Sequence, residues 1–88
     1  VTHFLVERYV PAVDGERLPT LAAMAAAAAE EMRARGTEIR YLWSAFLPAD
    51  EICLCLFEAG DRAAVEEVNR RAGFAFERVV EAVRVRGD

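Results

Sequence analysis

The chain contains no lysine, and all eleven of its basic residues are arginines. They are scattered along the sequence, mostly beside acidic neighbours, and the formal net charge is −4. A nucleic-acid partner would need a basic stripe to meet its phosphates, so no nucleic acid is expected. Histidine occurs once, at His3, and cysteine twice, at Cys53 and Cys55. One imidazole and a Cys-x-Cys pair fall short of the four ligands of a closed zinc site. Two cysteines one residue apart on a strand cannot easily close a relaxed disulfide, so no disulfide framework is expected. There is no glycine-rich phosphate loop, and Ser44 stands in no recognisable nucleophile context. The residues themselves call for no cofactor and no dedicated metal. No apolar run is long enough to span a bilayer, and no leader pattern opens the chain; the expectation is a cytoplasmic protein without a membrane partner.

What is present is apolar. With 55% hydrophobic residues in 88, the chain can build one core and not two, giving a single domain over residues 1–88. The apolar excess has to be covered, and a second copy of the chain is the simplest cover; a homodimer is expected. Thr2 to Tyr9 is rich in β-branched and aromatic residues and predicts a strand, which Pro11 and Asp14-Gly15 break. From about Glu16 to Arg35, Leu18, Leu21, Ala25, Ala28 and Met32 recur at three and four, predicting a helix that ends at Gly36. Thr37 to Leu47 predicts a long aromatic strand. The short link Pro48-Ala49-Asp50 makes it a hairpin with a strand over Glu51 to Glu58. Asp61 is a good N-cap for a second helix, whose face carries Ala64, Val65, Val68 and Ala72 and which Gly73 closes. A last strand runs from about Glu77 to Val85. The order is βαββαβ: an α+β, ferredoxin-like domain. Two helices lie on one face of a four-stranded antiparallel sheet, with the first and third strands in the centre.

Strand parity then assigns faces. Phe4 and Val6 point to the helices, so His3, Leu5, Glu7 and Tyr9 point to the open face. In the third strand Ile52, Leu54 and Leu56 suit the core, which puts Cys53, Cys55 and Phe57 on the open face. Glu81 should avoid the core and brings Val79, Val83 and Val85 with it. Tyr41, Trp43 and Ala45 are assigned to the open face, with Leu42 and Phe46 inward. The open face so read is too apolar to stay wet, and a sheet-to-sheet dimer could enclose a cavity on it. Glu7 and Glu81, on neighbouring strands, are the candidate catalytic pair, because burial and like charge raise a carboxylate pKa toward neutrality. Tyr9, Tyr41, Trp43, Cys53, Cys55 and Phe57 would line the site around a small apolar or aromatic ligand. The alternative is that Glu7 makes an ion pair with Arg8, Arg78 or Arg84 of a neighbouring chain and that the cysteines are small buried hydrophobes. Three functions fit: a pocket protein with cofactor-free acid–base chemistry, a metal-binding module, and a ligand-free dimerisation domain.

The run Phe4-Leu5-Val6-Glu7-Arg8-Tyr9, the helix ending in Gly36, Arg40-Tyr41-Leu42, the strand from Glu51 to Phe57, Asn69-Arg70-Arg71-Ala72-Gly73 and Val80-Glu81-Ala82 together resemble a domain-of-unknown-function family. It consists of short ferredoxin-like proteins, some described as nickel-binding. The resemblance implies the same fold, a relation to dimeric α+β barrels, and metal ligands near the end of the first strand and after the second helix. Those positions hold Glu7, Arg8, Tyr9 and Phe74 here, none of them an imidazole. The barrels include cofactor-free oxygenases, isomerases and cyclases, and by analogy such activities are among the expectations.

Overall fold

A computed structural model describes residues 1–87. Strand β1 (Thr2–Tyr9) leads through a 3-10 helix (Ala12–Arg17) into helix α1 (Leu18–Ala34). The hairpin of β2 (Ile39–Leu47) and β3 (Ile52–Ala59) follows, then helix α2 (Arg62–Ala72) and strand β4 (Arg78–Ala82). The four strands form one antiparallel sheet in the order β2-β3-β1-β4, so the expected ferredoxin-like α+β architecture is present with β1 and β3 central. No helix among the described residues is long and apolar enough to cross a membrane.

The helices form where their local chemistry allows. Pro19 falls in the first turn of α1, where no intrahelical partner is lost, and the 3-10 helix takes up the residues before it. Ala25 and Ala29 are buried on α1 with Met32, and their small side chains let the helix lie close to the sheet. Asp61 caps α2 by accepting the Ala64 amide at 2.9 Å. Gly73 ends α2 with φ of 80°, a left-handed conformation that a side chain would strain. Val65 and Val68 are fully buried against Phe4, Val6 and Val79 in the core between helices and sheet.

Register fixes which side chains share that covered face. Phe4 stands opposite Phe57, Val6 opposite Cys55 and Arg8 opposite Cys53. Cys53, Cys55 and Phe57 therefore face the helices, and Ile52, Leu54 and Leu56 face out, the reverse of the sequence assignment. Both triplets are apolar, so alternation alone carries no contrast between them; pairing with β1 decides. Tyr41 is also corrected. It lies opposite Phe57, while Trp43 lies opposite Leu56, so Leu42 is an extra residue in a β-bulge that reverses parity along β2. After the bulge, Trp43 and Ala45 face out and Phe46 faces in, as expected. Val79 lies opposite Val6 in the core, and Glu81, opposite Phe4, is exposed at the sheet edge. The last strand stops at Ala82, which pairs with His3 almost at the start of β1, so Val83 and Val85 have little partner strand left and are exposed.

Candidate functional site

The two faces of the sheet hold different chemistry. Across the open face, Val80, Leu5, Leu56 and Trp43 form one apolar row spanning all four strands. The next row reads Arg78, Glu7, Leu54 and Ala45, and Arg78 Nε donates to Glu7 Oε2 at 2.6 Å. On the other side of the apolar row, His3 Nε2 lies 3.6 Å from Glu58 Oε2, and Arg40 Nε 3.6 Å from Glu58 Oε1. Tyr9 is 58% exposed and donates to Glu51 Oε1 at 3.3 Å, and the charge of Glu51 pushes its phenol up. The expected pairing of Glu7 with Glu81 is not formed. Glu7 stands opposite Arg78, and Glu81 belongs to the other parity of β4. Glu7 pairs with Arg78 of its own chain, where the alternative expected an arginine of a neighbouring one.

Under the helices lies a second set of groups. The inward parity of β1 that buries Phe4 and Val6 also buries Arg8, which is only 7% exposed. Its Nη1 donates to the Ala75 carbonyl at 3.1 Å, and its Nη2 donates to Asn69 Oδ1 and points at Cys55 Sγ 3.7 Å away. The guanidinium also sits over the Phe74 ring, 4.9 Å from its centroid. Asn69, 1% exposed, is held in turn by donating to the Val65 carbonyl at 2.7 Å. From the other side Ser44 donates to Cys55 Sγ at 3.0 Å, and Tyr41 shares a 2.5 Å hydrogen bond with Ser44. Burial pushes the Tyr41 phenol up. The thiols of Cys53 and Cys55 are free and 3.9 Å apart, and burial together with its neighbour pushes the Cys53 thiol up to about 11.

These groups border a small cavity of about 30 Å³ that is partly open to solvent. Its floor is Arg8, Cys53, Cys55 and Ser44 from three strands; its roof is Leu18, Leu21, Ala22 and Ala25 of α1, and Phe74 closes one end. The space exists because the side chains opposed across it are small: two alanines above, two thiols and a serine below. Arg8 makes no ion pair among the described residues. A buried guanidinium held only by neutral acceptors costs several kcal/mol of desolvation that no opposite charge offsets. Of the residues expected to line a ligand, Cys53 and Cys55 border this pocket, Tyr41 reaches it through Ser44, and Phe57 is fully buried beneath α1 and α2. Trp43 and Tyr9 lie on the opposite face. Arg8, Asn69, Ser44 and Phe74 were missed, although two carried a signal. Arg8 continues the inward alternation of Phe4 and Val6, and Asn69 lies four residues from Val65 on the apolar face of α2.

Fold and site together define a ferredoxin-like α+β domain with an interior, arginine-floored pocket. Over residues 4–82 the chain matches the family described as nickel responsive protein, SCO4226-like, and it belongs to that family. Among solved structures it is similar to SCO4226 from Streptomyces coelicolor A3(2). The TM-score is 0.80 at 19% identity, covering 96% of this chain and 99% of that one. That likeness shows the fold. A search of curated proteins finds no match.

The donor set does not suit nickel as a resident ion. Among the described residues no three His, Cys, Asp or Glu side chains come together in a group able to hold a metal. His3 and the two cysteines lie on opposite faces of the sheet, and the cysteines share their pocket with the fixed positive charge of Arg8. That charge repels a divalent cation from the one place where two thiols converge.

Proposed function

We propose that this chain is a small-ligand-binding domain whose ligand enters the pocket between α1 and the covered face of the sheet. The observation that carries the reading is the convergence of Arg8, Ser44, Cys53 and Cys55 on one apolar-roofed space. A few placed polar groups in an otherwise apolar concavity are the usual make-up of a small-molecule site. The site assigned from sequence on the open face has less support, because Glu7 is neutralised by Arg78 and Glu81 is exposed at the edge. Binding rather than acid–base turnover is therefore the function the geometry favours. The test is a nuclear magnetic resonance titration with small aromatic compounds of neutral, anionic and cationic type. Amide shifts should concentrate on Ala22, Ala25, Ser44 and Cys53, and Ala22→Leu, which fills the space, should remove them. Shifts confined to Leu5, Leu54 and Trp43, or none at all, would overturn the reading. Stoichiometric Ni²⁺ uptake in calorimetry would instead favour a metal-binding role like that implied by the family's description.

The open face supports a second, separate proposal: it is where two copies of the chain meet. The apolar row Val80, Leu5, Leu56 and Trp43, bordered by Leu54 and by the paired charges Glu7–Arg78 and Arg40–Glu58, is the composition of an interface centre and rim. Leu54→Glu should halve the mass measured by light scattering while the fold, read by circular dichroism, is kept. An unchanged mass would exclude this surface as the contact.

A further inference from the structure

We infer that the interior pocket selects a monoanion, a small organic carboxylate whose apolar body lies under α1 and whose charge meets Arg8. This rests on the pocket being a ligand site and adds the class of ligand. The guanidinium is more than nine-tenths buried and borders the space. Its hydrogen bonds go to an amide oxygen, a backbone carbonyl and a sulfur, three of the five it can donate, and its ring contact is with the neutral Phe74. A buried cation is ordinarily matched by an anion, and none of the side chains bordering the pocket is a carboxylate. The protein thus holds a buried cation with its Nε hydrogen and one Nη1 hydrogen unused and no counter-charge, and a carboxylate matches it better than any neutral group.

The surroundings narrow the class further. Arg8 is the sole basic side chain among those bordering the pocket, so a dianion such as a phosphate monoester would enter with one charge uncompensated. The roof of Leu18, Leu21, Ala22 and Ala25 offers no hydrogen-bond donors from its side chains and suits hydrocarbon. The Cys53 thiol, held well above neutrality by burial, stays uncharged at pH 7 and does not compete with an incoming anion for Arg8. Asn69 and the Ala75 carbonyl hold the guanidinium in place before a ligand arrives, so little side-chain freedom is lost on binding.

The experiment compares three probes of one shape: benzoate, benzamide and benzamidinium, titrated into the intact chain at pH 7 and followed by amide and arginine Nε resonances. Benzoate should bind about tenfold or more tightly than benzamide. It should shift the Arg8 Nε signal, and benzamidinium should not bind. Arg8→Lys keeps a charge without the planar fork and should cut the preference; Arg8→Met should abolish it. If either variant fails to fold, Ala22→Leu keeps the test decisive, since it should remove benzoate binding with Arg8 intact. Equal affinity for benzoate and benzamide at the pocket amides would overturn the anion inference and leave the pocket reading standing. Binding of none of the three probes would overturn the inference, and an empty result with neutral aromatic compounds as well would remove the pocket reading too. Equal displacement of benzoate by inorganic phosphate would show a general anion site and overturn the carboxylate assignment.

Discussion

One sheet presents two faces built from alternate residues of the same four strands, and they treat polar groups in opposite ways. On the open face charge is met by charge across neighbouring strands: Glu7 with Arg78, and Glu58 with Arg40. On the covered face the buried charged group, Arg8, meets an amide, a carbonyl, a thiol and a ring. The first arrangement closes its charges within the chain. The second is left electrostatically open in a place where leaving it open is expensive. Glu7 and Arg8 are consecutive, so a single step along β1 separates a satisfied surface charge from an unmatched interior one.

The sharpest way to break this comparison is to truncate apolar residues on each side. Phe57 is fully buried, and Phe57→Ala should destabilise the chain by about 3–5 kcal/mol, a large share of what a domain of this size has. Leu54, three residues earlier on the other parity and half-buried, should cost about 1 kcal/mol as Leu54→Ala in the monomeric state. Urea unfolding measures both. Equal losses would mean that the open face is covered as thoroughly as the helix face, which a second copy could achieve.

That contrast also explains what could be read from the sequence. Element order survived because its signals are local: alanines and valines at helical spacing, Asp61 and Gly73 at the ends of α2, and a hairpin link too short for anything else. Central placement of β1 and β3 followed from topology. The face of β3 did not, because Ile52, Leu54 and Leu56 are as apolar as Cys53, Cys55 and Phe57, and period two cannot rank two apolar sets. What chooses between them is fit beneath the helices, where cysteines leave room for Arg8 and leucines would not. Tyr41 was lost to a one-residue bulge, a backbone event that no side-chain pattern announces. The pocket was hidden for a related reason: its walls come from β1, β2, β3, α1 and the turn after α2, and its volume depends on small residues meeting across that distance. Arg8 and Asn69 were legible as polar residues on apolar faces, yet a carboxylate pair drew attention to the wrong side of the sheet.

A smaller effect comes from the thiol that shares the pocket with Arg8. In the folded chain the Cys53 pKa rises from 9.0 to about 11, first through burial and then through Cys55. The folded state therefore holds this proton more tightly than the unfolded one. Its contribution to stability is fully present below about pH 9 and is lost as pH rises toward about 11. The unfolding free energy of the wild-type chain, read from its urea transition, should fall across that window by an amount on the order of 1 kcal/mol, since solvent entering the pocket screens part of the effect. Tyr9 and Tyr41 are also raised and titrate in alkaline solution, so the comparison is with Cys53→Ala, whose midpoint should fall less. Identical pH profiles for the two proteins would show that the thiol is solvated and the covered face more open than its packing indicates.

The smallest expected change lies next to the largest unpaired charge. Glu7→Gln removes one half of the ion pair with Arg78, whose side chain is 63% exposed while that of Glu7 is 26% exposed. In an isolated chain an exposed pair of this kind is worth about 0.2–1 kcal/mol, and added salt should shrink the difference between variant and wild type. The pair is short, however, at 2.6 Å, and it borders the apolar row of the open face. If a second copy covers that row, water is removed from the pair and its loss leaves Arg78 without a partner in a drier site, with a cost of several kcal/mol that salt does not screen. Unfolding of Glu7→Gln at protein concentrations above and below dissociation separates the cases. A small, salt-sensitive loss at every concentration keeps the two faces as different as they look in one chain; a large loss only in the associated state would make Glu7 as buried as Arg8, with the difference that its counter-charge is already in place.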